Sequence, residues 1–171
     1  MLHIPYYLHG NWKLNTNELQ TLEKNLLVKE NYDKEKCLYT TFSKDNKHLN
    51  FLKSFYQNIV DEIAKEQTFF NTSKIEYNFW VQMYNNKAHH NLHTHFGINN
   101  NVIISWVHFL KVPETKCFRF TDGTNYLVPQ QEEGDLLVFP SYCRHQVIQH
   151  NSNINRIVVA GNISLLEHKC D

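Results

Sequence analysis

The sequence predicts a single α+β domain in which N-terminal helices support a jelly-roll barrel of short strands. Two patterns along the chain lead to this prediction. Apolar residues recur at helical spacing in residues 1–72, whereas residues 73–171 contain short apolar segments separated by Asn, Gly and Pro. The 171 residues, 42% of them apolar, suit one domain with a sizeable core. No internal repeat and no Pro/Gly-rich linker divides the chain.

Two amphipathic helices are expected in the N-terminal half. Residues 17–29 place leucines on one helical face, and residues 46–66 carry a longer apolar stripe. The stripe residues are Leu19, Leu22, Leu26 and Leu27 in the first segment and Leu49, Leu52, Phe55, Ile59 and Ile63 in the second. Ser43, Asp45 and Asn46 are candidate N-caps of the second helix. Stripes of this kind usually pack in a core, so we expect both helices to cover the back of a sheet.

The C-terminal half is expected to consist of short strands. The predicted strands are residues 75–84, 101–112, 116–121, 126–128, 135–139, 144–150 and 155–163. Short strands at such regular intervals indicate a β-sandwich or barrel, and a jelly roll closes them into two facing sheets. Because the helices come first and the strands follow, the chain is predicted to be an α+β fold with a β-barrel core.

The overall charge and the cysteines argue against several classes of function. Lys and Arg total 17 and Asp and Glu total 17, so the chain lacks the basic excess that nonspecific nucleic-acid binding requires. The four cysteines are scattered and form no CxxC pair, which argues against structural zinc and a disulfide framework. The N-terminus lacks the pattern of a signal peptide, and no apolar run is long enough to span a membrane. We therefore expect a cytoplasmic protein that binds neither nucleic acid nor membranes.

Three histidines form the strongest candidate for a chemical site. His93 and His95 are two residues apart, so on a strand both side chains would face the same side. His145, from a distant strand, would complete a set of three imidazoles and leave other coordination positions open. Ligands rich in nitrogen and free of thiolate suit iron, with zinc, copper and nickel as competitors. The alternative is a solvated loop that chelates weakly, because 11 histidines in 171 residues place some of them close together by chance.

Arg156 is the second candidate. It follows His145 by eleven residues and opens the apolar run 157–160. A buried arginine is costly unless an anion neutralises it, and its planar guanidinium matches a carboxylate with two hydrogen bonds. The alternative is an arginine at a sheet edge, paired with an Asp or Glu side chain.

From Trp80 to Ile163 the chain resembles the iron(II)/2-oxoglutarate-dependent oxygenases, and in particular the small bacterial and phage branch related to prolyl hydroxylases. The matching elements are a strand led by Trp80, the His93-Thr94-His95 motif, a strand led by Ser105 that runs to Pro113, the turn 134–140, His145, Arg156 and Asn162. The resemblance covers about half of the chain. It implies a double-stranded β-helix, a jelly-roll barrel similar to that of the cupins, with Fe(II) and 2-oxoglutarate as cofactors.

The resemblance also implies roles for individual residues. His93 and His145 are the implied iron ligands, and Arg156 is implied to bind the far carboxylate of 2-oxoglutarate with help from Tyr84. Ser105 and Phe109 are expected to line the same pocket, because they share the inward-facing parity of their strand. Asn162 is expected to donate a hydrogen bond to a group behind the ligands.

The chain departs from the family at one ligand position. Most members carry a carboxylate two residues after the first histidine, and this chain carries His95 there. The site is therefore either an all-histidine triad or a two-histidine site. We expect His95 to bind the iron, because its parity places it beside His93.

The implied activity is the hydroxylation of a peptidyl or small-molecule substrate by O2 and 2-oxoglutarate, with release of succinate and CO2. One alternative is a three-histidine oxygenase of the cupin type that needs no 2-oxoglutarate, which would leave Arg156 without a role. Another is a jelly-roll binding protein with a vestigial metal site. Candidate residues at the mouth of the site are His89, His90, Asn91, Asn99, Asn100 and Trp106.

Overall fold

Two antiparallel sheets and two α-helices make up the structure, a computed structural model that describes residues 2–44, 47–67, 74–97 and 101–166. The helices are α1 (Thr16–Leu26) and α2 (Lys53–Glu66), with 3-10 turns at Lys29–Asn31 and Lys47–Leu52. The strands are β1 (Tyr7–Asn11), β2 (Tyr32–Asp33), β3 (Leu38–Thr40), β4 (Ile75–Tyr84), β5 (His90–His93), β6 (Val102–Lys111), β7 (Phe118–Thr121), β8 (Tyr126–Leu127), β9 (Asp135–Pro140), β10 (His145–Val147) and β11 (Arg156–Leu165).

The larger sheet has the strand order β1-β9-β6-β11-β4-β3-β2, and the smaller sheet has the order β5-β10-β7-β8. One apolar cluster joins the helices to the back of the larger sheet, and a second cluster lies on the sheet's other face with residues of the smaller sheet. The predicted α+β class with antiparallel sheets is therefore confirmed. Within the described part of the chain, no helix is long and apolar enough to cross a membrane.

Both predicted helices are present and bury the expected faces. A capping box begins α1, in which Asn15 Oδ1 accepts the Glu18 N–H at 3.0 Å and Glu18 Oε2 accepts the Asn15 N–H at 2.9 Å. The side chain of Leu27 is 55% exposed, because α1 ends one residue before it. The N-cap of α2 is Leu52 rather than Ser43, and the candidate caps Asp45 and Asn46 lie outside the described residues.

Four strands were missing from the sequence prediction. Three of them, β1, β2 and β3, lie in the segment predicted to be mostly helical support, and they have five, two and three residues. Segments this short carry no measurable periodicity, so they form strands because neighbouring strands offer hydrogen bonds. Strand β1 pairs with β9, and β3 pairs with β4. The fourth is β5, for which the sequence analysis gave no strand bounds, although it expected His93 and His95 to lie on a strand and named a solvated loop as the alternative.

The three central strands set the register of the candidate site. In the pairing of β11 with β4, Arg156 lies opposite Tyr84. In the pairing of β11 with β6, Asn162 lies opposite Ser105 and Gly161 opposite Trp106. These strands therefore place most of the predicted site residues on the inner face of the larger sheet.

Trp106 was wrongly predicted to lie at the mouth of the site. Its side chain is fully buried and stacks on Tyr56 of α2, with ring centroids 5.2 Å apart. Alternation along β6 explains this position, because Trp106 faces the side opposite to Ser105 and Phe109.

Candidate metal centre

His93, His95 and His145 lie together between the two sheets. His93 ends β5 and is the direct partner of His145, which begins β10. The ring centroids of this pair are 4.2 Å apart, and His95 lies 5.0 Å from His145 and 5.3 Å from His93. One ligand nitrogen from each ring can be chosen so that all three lie within 4.8 Å of one another. A single cation bound between these rings would be reached by all three.

The position of His95 does not come from strand alternation, because β5 ends at His93. The backbone turns there, and the His95 N–H donates to the Ser141 carbonyl at 2.9 Å. This bond ties the residue to the end of β9 and returns its ring to the other two imidazoles. The side chains of His93 and His95 therefore lie together, as their i, i+2 spacing predicted, but a turn of the backbone rather than strand alternation brings them together.

Backbone carbonyls determine which nitrogen of His93 and His145 carries a hydrogen. His93 Nδ1 lies 2.7 Å from the Asn91 carbonyl oxygen, and His145 Nδ1 lies 2.8 Å from the Cys143 carbonyl oxygen. A carbonyl can only accept, so Nδ1 must donate in both residues, and the lone pair is on Nε2. Metal-binding histidines in proteins are commonly oriented in this way.

His95 obtains the same tautomer from side chains. Its Nδ1 lies 2.6 Å from Asn162 Oδ1 and 3.0 Å from Ser105 Oγ. The Ser105 hydroxyl in turn donates to Asn162 Oδ1 at 2.9 Å. The sequence analysis expected Asn162 to donate, and the structure shows that its side-chain oxygen accepts both bonds.

All three imidazoles are held in the neutral form that binds metals. Burial lowers the pKa of His95 to about 4, against a smaller rise from its bond to Asn162. Burial also lowers the pKa of His93, and it lowers that of His145 well below the usual range. Since metal binding requires unprotonated imidazole, these residues do not need to lose a proton at neutral pH.

Arg156 lines the same cavity as the histidines, and no residue in the described part of the chain forms an ion pair with it. Its side chain is 1% exposed, and none of its three guanidinium nitrogens has a hydrogen-bond partner among the described residues. The guanidinium carbon lies 4.9 Å from the centre of the Tyr84 ring and 5.5 Å from that of Phe109. Burial lowers the pKa of Arg156. A buried cation without a counter-ion is costly, so the site is suited to an anionic ligand.

Tyr84 supplies a hydroxyl next to Arg156. Its O–H donates to Gln82 Oε1 at 2.8 Å, and its oxygen lies 3.4 Å from His90 Nδ1. Burial raises the pKa of Tyr84 to about 12, with an opposing effect of Arg156, so the hydroxyl keeps its proton at neutral pH. Tyr84 can therefore donate a hydrogen bond to an anion that Arg156 attracts.

Ser105 and Phe109 were expected to line the pocket, but neither is among the residues that line the inner cavity. Ser105 contacts His95, and Phe109 lies against the guanidinium of Arg156. The residues that line the inner cavity are Trp80, Gln82, Tyr84, His90, His93, His95, Val107, Phe118, His145, Val147, Arg156, Val158 and Ala160.

An outer groove of about 560 Å³ leads to the histidines. It shares Trp80, Gln82, His90, His93 and His95 with the inner cavity. Its rim carries exposed aromatic side chains, among them Phe42, whose ring is 5.0 Å from that of Trp80, and Phe96.

Two residues of the site were not assigned a place in it from the sequence. Gln82 shares strand parity with Trp80 and Tyr84, a signal that could have identified it. His90, expected only at the mouth, stacks on His93 with ring centroids 4.2 Å apart. The mouth candidates His89 and Asn91 line a separate surface pocket together with His90, and Asn99 and Asn100 lie outside the described residues.

A comparison with protein families finds a similarity over part of this site. Residues 119–162 match the model of a family described as "Putative 2OG-Fe(II) oxygenase". The matched span contains His145, Arg156 and Asn162, and it begins on β7. Over residues 119–162 the chain is therefore similar to the 2OG-Fe(II) oxygenase superfamily. The cofactors of this superfamily are Fe(II) and 2-oxoglutarate, as the resemblance implied.

Solved structures of such oxygenases share the fold. A prolyl-4-hydroxylase from Pseudomonas putida is 15% identical, has a TM-score of 0.63, and is matched over 96% of this chain and 94% of its own. A prolyl hydroxylase from Trichoplax adhaerens, in complex with a hypoxia inducible factor oxygen degradation domain peptide fragment, is 11% identical with a TM-score of 0.66, over 93% of this chain and 83% of its own. Identities this low show the fold alone. A search of curated proteins finds no match.

A third structure shows that this fold is not confined to hydroxylation. A non-heme alpha ketoglutarate dependent epimerase from nogalamycin biosynthesis is 12% identical, with a TM-score of 0.62 over 94% of this chain and 77% of its own. The fold therefore supports more than one reaction outcome, and the substrate must be argued from the site.

Proposed function

We propose that this protein is an Fe(II)- and 2-oxoglutarate-dependent dioxygenase that hydroxylates a peptidyl or small-molecule substrate and releases succinate and CO2. The observation that carries the proposal is the combination in one cavity of three neutral imidazoles and a buried guanidinium without a partner. The three imidazoles can hold a metal that binds a ketoacid, and the guanidinium can bind the distant carboxylate of the same molecule. As part of this proposal, we assign the topology of a double-stranded β-helix to the barrel.

The donor set fits iron. Nε2 atoms of His93, His95 and His145 would hold Fe(II) on one side, and the remaining positions would be open. No cysteine lines the inner cavity, and a site without thiolates suits an iron ion whose remaining ligands are oxygen atoms. When bound, Fe(II) and 2-oxoglutarate together activate O2 and couple decarboxylation to succinate with oxidation of a substrate C–H bond.

The side chains around this site bind and orient the co-substrate. Arg156 would bind the far carboxylate with two parallel hydrogen bonds, and the Tyr84 hydroxyl would turn from Gln82 to the same carboxylate. Apolar side chains, including Phe118 and Val158, exclude water from the space between Arg156 and the histidines. In this low-dielectric cavity the charge pairing is stronger than in water.

The outer groove is our candidate for the substrate-binding site, and a substrate would enter it from outside the barrel. Arg156 and Tyr84 line the inner cavity and do not line the groove, so a substrate in the groove and a co-substrate beside Arg156 would occupy different spaces. Two relatives of the same fold carry the names of prolyl hydroxylases, and one of them was solved with a peptide. These features support a peptidyl substrate, with a small molecule as the second class.

The alternatives make different demands on the same residues. A cupin-type oxygenase without 2-oxoglutarate gives Arg156 no ligand and leaves a buried charge uncompensated. A vestigial site in a binding protein would have no need to orient three imidazoles with Nδ1 as the donor. Both features therefore favour the 2-oxoglutarate-dependent oxygenase.

The test is an anaerobic titration with Fe(II) followed by 2-oxoglutarate, in which a weak visible charge-transfer band reports chelation of the metal by the ketoacid. We expect the band in the native protein and in Arg119→Met, a control at a surface arginine that stacks on Tyr126. Arg156→Met should require much higher 2-oxoglutarate concentrations. Absence of the band in the native protein, together with O2 uptake that is independent of 2-oxoglutarate, would contradict the proposal.

A further inference from the structure

Ser105 and Asn162 form a polar pair behind His95, at the ligand position where this chain departs from the family. Both side chains are buried, Ser105 completely and Asn162 to 9% exposure. They lie directly opposite each other on β6 and β11. The three polar atoms form a closed triangle with edges of 2.6 Å, 3.0 Å and 2.9 Å.

An imidazole at this position needs support that a carboxylate does not. Either oxygen of a carboxylate can bind a metal, whereas a neutral histidine offers a lone pair only on the nitrogen without hydrogen. His95 can present Nε2 to a metal only when Nδ1 is protonated. Replacing the family's carboxylate with histidine therefore requires a group that selects one tautomer.

We propose that Asn162 and Ser105 are positioning residues that hold His95 as the Nδ1–H tautomer and thereby make it the third metal ligand. The proposal rests on the metal centre of the proposed function and adds a mechanism to one of its ligands. Asn162 Oδ1 accepts the Nδ1–H, and the Ser105 hydroxyl donates to the same oxygen. With the amide oxygen facing the ring, as the Ser105 hydroxyl also requires, the other tautomer would place two lone pairs opposite each other across 2.6 Å, which is repulsive.

His95 differs from its two neighbours in the source of this support. His93 and His145 donate to the backbone carbonyls of Asn91 and Cys143, which any residue at those positions would supply. His95 alone depends on side chains. Substitution at Asn162 or Ser105 therefore changes one ligand and leaves the orientation of the other two intact.

The first measurement is the tautomer itself. Long-range 1H–15N NMR on the metal-free protein identifies the protonated ring nitrogen of each histidine without any metal, 2-oxoglutarate or turnover. We expect His95 to be protonated at Nδ1 in the native protein and in Asn162→Asp, which keeps an acceptor oxygen. Asn162→Leu should give a mixture of tautomers at His95 while the His93 and His145 signals keep their pattern.

The second measurement is the dissociation constant and visible spectrum of bound Co(II). Loss of a partner that orients a ligand typically weakens metal binding about 10–100-fold, so we expect that change for Asn162→Leu. Ser105→Ala should cost less, because Asn162 still accepts the Nδ1–H, and Asn162→Asp should bind Co(II) nearly as the native protein does. Thr121→Val is the matched control, since this buried hydroxyl accepts the Gly123 N–H at 2.9 Å and has no part in positioning the three histidines.

Two results would overturn the inference. One is a native protein with His95 protonated at Nε2, a measurement that needs no variant and so does not depend on whether Asn162→Leu folds. The other is Asn162→Leu with the native Co(II) affinity and spectrum. Neither result touches 2-oxoglutarate-dependent succinate formation, so the oxygenase could stand on two histidines while this inference fails. Conversely, native Co(II) binding with the expected losses would uphold it even if no succinate forms.

Discussion

Arg156 lies directly opposite Tyr84 in the pairing of β11 with β4, and its guanidinium carbon is 4.9 Å from the centre of the Tyr84 ring. A cation over an aromatic face is partly stabilised, by about 0.5–2 kcal/mol, but its N–H groups stay without acceptors. The fold therefore holds an unsatisfied charge in place in the lining of a cavity. A buried charge of this kind lowers the stability of the protein while the site is empty, and the binding of a ligand raises it.

The first prediction follows from this cost. Replacing Arg156 with Met keeps an apolar stem in place of the aliphatic part of the arginine and removes the unpaired charge, so we expect the metal-free protein to become more stable. The gain should be about 1–3 kcal/mol in the free energy of unfolding, the typical cost of a buried polar group without a partner. Urea denaturation in the presence of a chelator measures it.

The same substitution should abolish the response to co-substrate. Adding 2-oxoglutarate to the Co(II)-loaded native protein should raise the melting temperature further, and in Arg156→Met this further increase should disappear. Opposite effects on the empty and the loaded protein separate a ligand-binding residue from a structural one. A variant that is less stable in both states would show that Arg156 supports the fold instead.

A buried histidine outside the metal centre makes stability depend on pH. His108 is fully buried on β6, its Nε2–H donates to the Trp12 carbonyl at 2.8 Å, and its Nδ1 accepts the Tyr56 hydroxyl at 3.0 Å. Burial lowers the pKa of His108 to about 4, against a smaller rise from the bond to Trp12. His108 is therefore neutral in the folded protein, where it joins the N-terminal segment to α2.

The second prediction gives the sign and range of this effect. Between pH 6.5 and about 4 the unfolded chain binds a proton at His108 that the folded chain does not, so stability falls as the pH falls through this range. The contribution, about 3 kcal/mol at 1.36 kcal/mol per pKa unit, is complete above pH 6.5. We expect the stability difference between native protein and His108→Gln to shrink by this amount from pH 7 to pH 4, measured by urea denaturation without metal. A constant difference would contradict the assignment.

Long periodic segments were predicted well, whereas the short strands β1, β2 and β3 of the N-terminal half were not predicted. The predicted bounds of β4 agree with the structure, and those of β6 and β9 agree within one residue at each end. Strands β1, β2 and β3 have too few residues for a period to be visible, and their pairing energy comes from distant strands. Tertiary contacts decide such segments, and a single sequence does not display them.

The site residues show the same division. Parity along β6 was sufficient to place Ser105 on the inner face, and it would also have placed Trp106 on the opposite face had it been applied there. The position of His95 depends on a backbone bond to Ser141, which no spacing rule contains. The direction of the bond at Asn162 depends on which ring nitrogen faces it, so residue identity alone could not distinguish acceptor from donor.

The third prediction concerns the contact beneath the site. A Cβ added at Gly161 would lie 2.2 Å from Trp106 Cζ2 and 2.7 Å from the Asn78 carbonyl oxygen. Gly161→Ala should therefore move the indole or β11, at a cost of about 1–3 kcal/mol typical of overpacking. Since Asn162 is the next residue, we also expect weaker Co(II) binding.

A second substitution tests whether the indole causes this cost. Trp106→Leu makes room for the added methyl group, so the double variant should be more stable than the sum of the two single changes predicts. Thermal or urea denaturation of the four proteins gives the coupling energy. Strict additivity would show that the Asn78 carbonyl, rather than the indole, resists the methyl group.

The last prediction concerns the charge of the metal centre. Three neutral imidazoles and Arg156 surround the cavity, and none of its lining residues is an Asp or Glu. A divalent metal would raise the positive charge in a buried space with no carboxylate to offset it. The two carboxylates of 2-oxoglutarate are then the first negative charges to arrive, so metal and co-substrate should strengthen each other's binding, and by the same factor.

A comparison of His95→Asp with His95→Asn separates the effect of the charge of the ligand at position 95 from the effect of its shape. Both offer an oxygen on a short side chain, and only the first carries a charge. We expect saturating 2-oxoglutarate to tighten Co(II) binding of the native protein and of His95→Asn by a factor within the usual range of about 5–150. In His95→Asp the factor should be about tenfold smaller, because the new carboxylate already offsets part of the metal's charge. Titrations of Co(II) with and without 2-oxoglutarate measure the factor, and equal factors in the two variants would show that ligand shape rather than charge sets the coupling.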